Sequence, residues 1–181
     1  PTEEELNAII NKKFDIQRLE TVRDIFVFCA LSGLAFTDAQ HLTPEHITQD
    51  CNGDYWIRKP REKTNNMCNI PLLDIPRMIA EKYKNHPECI KRGVVLPVPS
   101  NQRMNSYLKE IADVCGIKKT LSTHIARHTF ACIAIANKVS MESIAKMLGH
   151  SDLRTTKIYA KLMDKTVSEE MNILKRKFSV V

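Results

Sequence analysis

Four residues in the C-terminal third of this chain, His124, Arg127, His150 and Tyr159, have the types and the order needed to work on a phosphodiester. They fall in the strings HIARHTF and LGHSDLRTTKIY, joined through SIAKM. A tyrosine is a poor nucleophile at neutral pH, because its free pKa is about 10. Cations and hydrogen-bond donors around a phosphate change that, since they favour the phenolate and the charge of the transition state together. An arginine is suited to such a site because its guanidinium offers two parallel donors and stays charged. Imidazoles can donate to the same phosphate or shuttle a proton near neutral pH. The set predicts covalent chemistry on a nucleic-acid backbone, with Tyr159 as nucleophile.

The elements that must hold these residues are mostly helical. Thr2 and Glu5 form a capping-box pattern, so a helix is expected over about 3–12. LETVRDIFVFCALSGL is apolar with no breaker before Gly33 and is long for a strand, which predicts a central buried helix. HITQD, DYWIRK and MCNIPL lean toward strands, with Asn52-Gly53 as a turn between the first two, and together predict a small antiparallel sheet. Further helices are expected near 74–85, 101–115, 123–137, 141–148, 152–162 and 166–178. HPECIKRGVVLPVPS, with three prolines and a glycine, reads as a loop or a short buried strand. The expectation is one mostly α domain with a small antiparallel β-sheet, an α+β class.

Composition narrows the possibilities further. The 181 residues are 43% hydrophobic, enough for one sizeable core. A net charge of +6 is compatible with a polyanionic partner and is a weak signal alone. The six cysteines are scattered singly, without the spacing of a zinc site, and read as small buried hydrophobes in a reducing compartment. His124 and His128, four apart on a helix, have no third ligand nearby, so no metal is expected. There is no long apolar run, and neither secretion nor membrane insertion is predicted. A cytoplasmic, nucleoid-associated protein is expected. The start at Pro1, without an initiator methionine, allows a fragment of something longer.

On its motifs the chain resembles the catalytic domain of the tyrosine recombinases, the phage-integrase family. His124 and Arg127 match its H-x-x-R motif, Leu148-Gly149-His150 its L-G-H motif, and Tyr159, nine residues on, its nucleophile. PTEEEL is similar to the start of that domain, SGLAFTDAQHL to its first active-site segment, and REKTNNMCNIPL to its β-hairpin with the catalytic lysine. The resemblance implies a metal-independent and cofactor-free enzyme that cleaves double-stranded DNA through a 3′-phosphotyrosine and rejoins it. It implies roles for Arg127 as phosphate ligand, for His124 and His150 in the active site, and for Lys63 as the acid that protonates the departing 5′-oxygen, with Lys59 and Arg61 its nearest competitors. The likeness is to integrases of conjugative and mobilizable transposons. It further implies a tetramer on DNA, a preceding DNA core-binding domain and the possible use of accessory DNA-bending proteins.

One position departs from the family pattern. Ala35 stands where an arginine is usual, which removes half of the arginine clamp. Arg23, upstream on the same helix, is the expected substitute, against a plain reading as a surface arginine paired with Glu20 or Asp24. Asp38 either orients histidine or arginine side chains or caps the short helix near it. His128 is read as a supporting residue behind the site. The apolar stripe Val167, Met171, Leu174 and Phe178 either packs on its own domain or docks on a neighbouring protomer, the latter being the expectation for the tetramer. Lys175, Arg176 and Lys177 read as a soluble helix end. Two alternatives stay open: a catalytically inactive relative, and a non-enzymatic helix-turn-helix DNA-binding protein built on SMESIAKMLGHSDLRTTKIYAKL. A type IB topoisomerase shares the chemistry, but the short integrase-like layout favours a recombinase. A DNA-linked, SDS-stable adduct separates enzyme from repressor.

Overall fold

A computed structural model of the chain describes residues 1–150 together with Met171. The chain opens with α1 (Glu3–Asn11), and its start is built as expected: the Thr2 hydroxyl accepts from the Glu5 N–H, and the Glu5 carboxylate takes the Thr2 N–H. Next comes α2 (Gln17–Ser32), buried along most of its length by Leu19, Val22, Ile25, Phe26, Val27 and Phe28. Gly33 ends it in the left-handed conformation, with φ of 72°. A short α3 (Phe36–Gln40) follows, and then a three-stranded antiparallel sheet, β1 (Ile47–Gln49), β2 (Tyr55–Pro60) and β3 (Met67–Pro71), in the order β1-β2-β3. The register pairs Ile47 with Ile57, and Lys59 with Cys68.

The remaining described helices are α4 (Asp74–Tyr83), α5 (Pro87–Arg92), α6 (Asn101–Val114), α7 (Thr123–Ala136) and α8 (Met141–Leu148). The predicted mostly helical domain with a small antiparallel sheet is what the chain adopts. The stretch from residue 86 differs from the expectation of a loop or strand, because its first half is α5. Pro87 sits at the first helical position, where its missing N–H costs nothing, and Gly93 closes the helix. Beyond it Val94, Val95 and Leu96 are buried without forming a strand, and the Val95 N–H donates to the Leu42 carbonyl at 2.8 Å. Of the cysteines, Cys29, Cys68 and Cys89 are buried as expected, whereas Cys51 is exposed. The helices expected at 152–162 and 166–178 lie outside the described residues apart from Met171, which is exposed.

Burial divides into two clusters. The larger surrounds α2 and takes residues from α1, α4, α6, the sheet and the first part of α7. The smaller lies between α7 and α8 and consists of Phe130, Ala131, Ala134, Ile135, Ile144 and Leu148. Gly33 sits where the two meet, and a Cβ there would lie 2.5 Å from Phe130 Cδ1 and 2.9 Å from Leu148 Cδ2. Gly33→Ala is therefore expected to destabilise the domain by about 2–4 kcal/mol, from overpacking together with the left-handed backbone. Thermal unfolding checks this, and an unchanged midpoint would show that the contact between the clusters is slack.

Candidate active site

Arg127 lies one turn into α7, whose N-cap is Ser122, its hydroxyl accepting from the Ile125 N–H. Only 8% exposed, it does not hold its guanidinium out to open solvent. Instead Nη1 donates to the Gly33 carbonyl and Nη2 to the Leu148 carbonyl, each at 2.6 Å. These carbonyls sit at the C-terminal ends of α2 and α8. Helix C-termini present unsatisfied carbonyls and the negative end of the helix dipole, so they hold a cation without neutralising it as a carboxylate would.

His150 comes directly after Gly149, the left-handed cap of α8, and its own N–H closes the helix end on the Ala145 carbonyl at 2.9 Å. That closure sets the direction in which the chain leaves α8. Arg127 Nη2 lies 3.3 Å from His150 Nε2. A guanidinium can only donate, so Nε2 is the acceptor and the neutral ring carries its proton on Nδ1. Nδ1 is buried and has no hydrogen-bond partner among the described residues. Burial, and then the charges of Arg127 and Arg61, pull the His150 pKa down to about 4. His150 is thus neutral near pH 7 rather than poised to titrate there.

Arg61, at the end of β2, is the residue that sequence reading weighed only as a competitor for the lysine. A Cβ on Gly149 would lie 2.8 Å from Arg61 Cδ and 2.9 Å from Cys68 Sγ, so the bare glycine lets the arginine stem pass against the helix end. Its Nε lies 3.7 Å from Asp38 Oδ2, beyond hydrogen-bond range, and the guanidinium makes no hydrogen bond among the described residues. Asp38 is 1% exposed, and its Oδ1 accepts the Glu62 N–H at 2.8 Å. It does not cap α3, so of its two readings the structure supports the one that sets it beside an arginine. No local spacing pointed to Arg61, because its nearness to Gly149 joins residues 88 positions apart.

Other expected site residues are placed as follows. His124 is exposed in the first turn of α7, one turn before Arg127. That turn is held to α6 by Asn105, whose Oδ1 accepts the Thr123 N–H at 3.2 Å, and by Asn101, whose Oδ1 accepts the Thr123 hydroxyl at 3.3 Å. His128 is half-buried, and its pKa is lowered by burial and then by His124. Lys63 is exposed in the β2–β3 turn, two residues beyond Arg61. Asn66 ties that turn to α8, donating to the Gly149 carbonyl at 3.3 Å. Tyr159 lies outside the described residues.

Arg23 is not brought to this group, which corrects the expectation that it fills the place left by Ala35. Its Nη1 donates to the Ile10 and Lys12 carbonyls at 2.9 and 2.7 Å, and its Nε to Asp24 at 2.6 Å. Asp24 in turn binds Lys82 and the Tyr83 hydroxyl. Ten residues along α2 separate Arg23 from Gly33, about 15 Å of helix, and its donors are committed to the end of α1.

Two arginines and a neutral imidazole thus meet at the junction of α2, α8 and the β2–β3 turn, with exposed His124 one helical turn from Arg127 and exposed Lys63 two residues from Arg61. Such a set suits a phosphate better than a neutral or cationic ligand. Among the described residues no three His, Cys, Asp or Glu side chains gather as a metal ion would require, and no helix is long and apolar enough to cross a membrane.

The sequence profile of the phage integrase family matches residues 2–166, and the chain belongs to that family. It is 38% identical over 111 residues to a tyrosine recombinase of Pseudothermotoga lettingae, an alignment covering 57% of this chain and 38% of that protein. Its fold is similar to that of the XerH site-specific recombinase bound to a palindromic difH substrate in a post-cleavage complex, with a TM-score of 0.75 and 17% identity, covering 97% of this chain and 53% of XerH. It is also similar to the catalytic domain of bacteriophage HP1 integrase, with a TM-score of 0.66 and 18% identity, covering 100% of this chain and 98% of that domain. The chain thus spans well under half the length of the P. lettingae relative and about half of XerH, while matching nearly all of the HP1 domain.

The depressed His150 pKa has a definite sign. Above pH 6.5 the ring is neutral in both folded and unfolded chains; between 6.5 and about 4 the unfolded chain binds a proton that folded His150 refuses, so stability falls as the pH falls through that window. Thermal unfolding from pH 7 to 4.5 should show a smaller acid-induced loss in His150→Gln than in the wild type. Equal losses would place the imidazole in an ordinary, solvated setting.

Proposed function

We propose that this chain is the catalytic domain, residues 1–181, of a site-specific recombinase or integrase that cuts and rejoins double-stranded DNA for integration or excision of a mobile element. Family membership supports the reaction class, and the gathering of Arg127, Arg61 and His150 at one point supports a phosphate as the group acted upon. The carrying observation is Arg127: a buried guanidinium held by the carbonyls at two helix ends, 3.3 Å from the imidazole of His150.

In this reading the Tyr159 hydroxyl gives its proton to His124 and its oxygen attacks phosphorus while the bond from phosphorus to the 5′-oxygen breaks. A 3′-phosphotyrosine forms, and the departing 5′-oxygen takes a proton from Lys63. Lys63 is suited to this because it is exposed on a turn and makes no other bond among the described residues. Arg127 and Arg61 carry the charge that grows on the non-bridging oxygens. Arg61 takes the place that Ala35 leaves open and that Arg23 does not reach. Neutral His150 contributes a hydrogen bond rather than a charge, and exposed His124 is the acid/base candidate at the edge of the site. Rejoining is the same step reversed by a 5′-hydroxyl, so the phosphodiester is conserved and the scheme calls for no metal or nucleotide.

We further infer a homo-oligomer, a tetramer on DNA, with the stripe Val167, Met171, Leu174 and Phe178 as the docking surface between protomers. Accessory DNA-bending proteins and a nucleoid location fit the same reading. A DNA core-binding domain elsewhere in the whole protein would supply much of the site choice, with phosphate contacts giving a salt-dependent share of the affinity.

The test uses the intact protein and a nicked duplex that traps the covalent product. An SDS-stable adduct should form with the modification on Tyr159 by mass spectrometry, and Tyr159→Phe should abolish it. Arg127→Ala and Arg61→Ala should each slow adduct formation by about 10²–10³-fold, whereas Arg23→Ala should leave the rate of the chemical step in place. Undiminished adduct from Tyr159→Phe would overturn the proposed reaction.

A further inference from the structure

Lys59 is among the most deeply buried charged side chains described, at 3% exposure, on the inward face of β2 next to Ile57. Its cross-strand neighbour is Cys68, which gives it no charge to pair with. A buried ammonium is tolerated only when a partner and further hydrogen bonds compensate for lost water. Here they are Glu62 Oε1 at 2.6 Å and the Pro60 carbonyl at 3.3 Å. The Lys59 ammonium in turn holds the Glu62 carboxyl below its ordinary pKa range.

The two partners bracket Arg61 in the chain. Glu62 is pinned twice, through its carboxylate to Lys59 and through its N–H to Asp38 Oδ1 at 2.8 Å. The backbone of Arg61 is pinned as well: its N–H donates to the Asn66 carbonyl at 2.9 Å, and its carbonyl accepts from the Asn65 N–H at 2.8 Å. The guanidinium itself makes no hydrogen bond among the described residues. Such a side chain takes its direction from its root, from what its stem rests on and, here, from the ion pair of its Nε with Asp38 Oδ2 at 3.7 Å. For Arg61 the root is the turn closed by Lys59 and Glu62, and the rest is the bare face of Gly149.

We propose that the Lys59–Glu62 ion pair is a positioning device for the reaction: it closes the turn beneath Arg61 so that the guanidinium is delivered to the phosphate flanked by Arg127 and His150. This rests on the reading of Arg61 as a phosphate ligand given above. Lys59 and Glu62 touch neither phosphate nor leaving group; they act through Arg61.

The experiment measures single-turnover cleavage by the intact protein on the trapping duplex, with DNA affinity and thermal unfolding recorded alongside. Four proteins are compared: wild type, Arg61→Ala, the paired variant Lys59→Met with Glu62→Gln, and the combination of all three changes. The paired variant removes both charges together and leaves no unpartnered buried ammonium. It should cleave roughly ten- to a hundredfold more slowly at unchanged affinity. The triple variant should be no slower than Arg61→Ala, because a support has nothing left to act on once the supported side chain is gone. Wild-type cleavage by the paired variant, or a triple variant slower than Arg61→Ala by the full factor of the pair, would overturn the proposal while leaving Arg61 in place. Wild-type cleavage by Arg61→Ala would remove the phosphate role and this proposal with it. Should the paired variant fail to fold, Glu62→Asp, which keeps the charge on a shorter arm, is read instead with and without Arg61→Ala: slowing that vanishes in the Arg61→Ala background upholds the device, and full rate or slowing that persists there overturns it.

Discussion

A single guanidinium holds the centre of this domain. Arg127 leaves α7 in the seam between two apolar clusters and joins the last carbonyls of two helices, one belonging to each cluster. Removing it would orphan two buried acceptors and separate the end of α2 from the end of α8. The same bonds set two carbonyls at the negative ends of helix dipoles against a guanidinium that stays charged at any relevant pH. Stability and chemistry are therefore carried by the same atoms, and the helix order around Arg127 is constrained by the need to present two C-termini to one side chain.

The surroundings show what that arrangement entails. Burial first, and then the positive charge of Arg127 and Arg61 brought to one place, keep His150 unprotonated to well below the usual pH. Cys29, buried behind the site, has its thiol pKa pushed up to about 12, mainly by burial and then by Asp38. Asp38 is the counter-charge nearest to Arg61, yet it hydrogen-bonds the backbone of Glu62 and stays out of hydrogen-bond range of the arginine. A phosphate entering here would meet charges already assembled and already desolvated, which is the condition under which fixed donors act most strongly.

Glycine makes the closeness possible at two points. Gly33 lets α7 and α8 close over the end of α2, and Gly149 lets the Arg61 stem lie against the end of α8. At each point a methyl group would stand where a ring, a methyl or a side-chain methylene already is, so the site depends on atoms that are missing as much as on those present.

Local patterns carried much of the fold. The capping box at Thr2, the unbroken apolar run of α2 and the hairpin residues before β2 act over a few positions, and the helices and the antiparallel sheet formed where those patterns pointed. The same kind of pattern hides α5, because Pro87 and Gly93 break a helix in its interior yet stand here at the two positions where a helix accepts them best. That His124, Arg127, His150 and Tyr159 form a candidate set was legible from order and spacing, and Lys63 joined them by family resemblance, since a chemical motif is written in residue types. Where the second arginine stands was not. Arg23 looked suitable along one helix, but its donors were claimed by the end of α1, while Arg61 reached the centre through a contact with Gly149 that no spacing encodes. Periodicity and motif order are local properties of the chain; which cation lies beside which helix end depends on contacts between distant residues, and only the packed structure decides those.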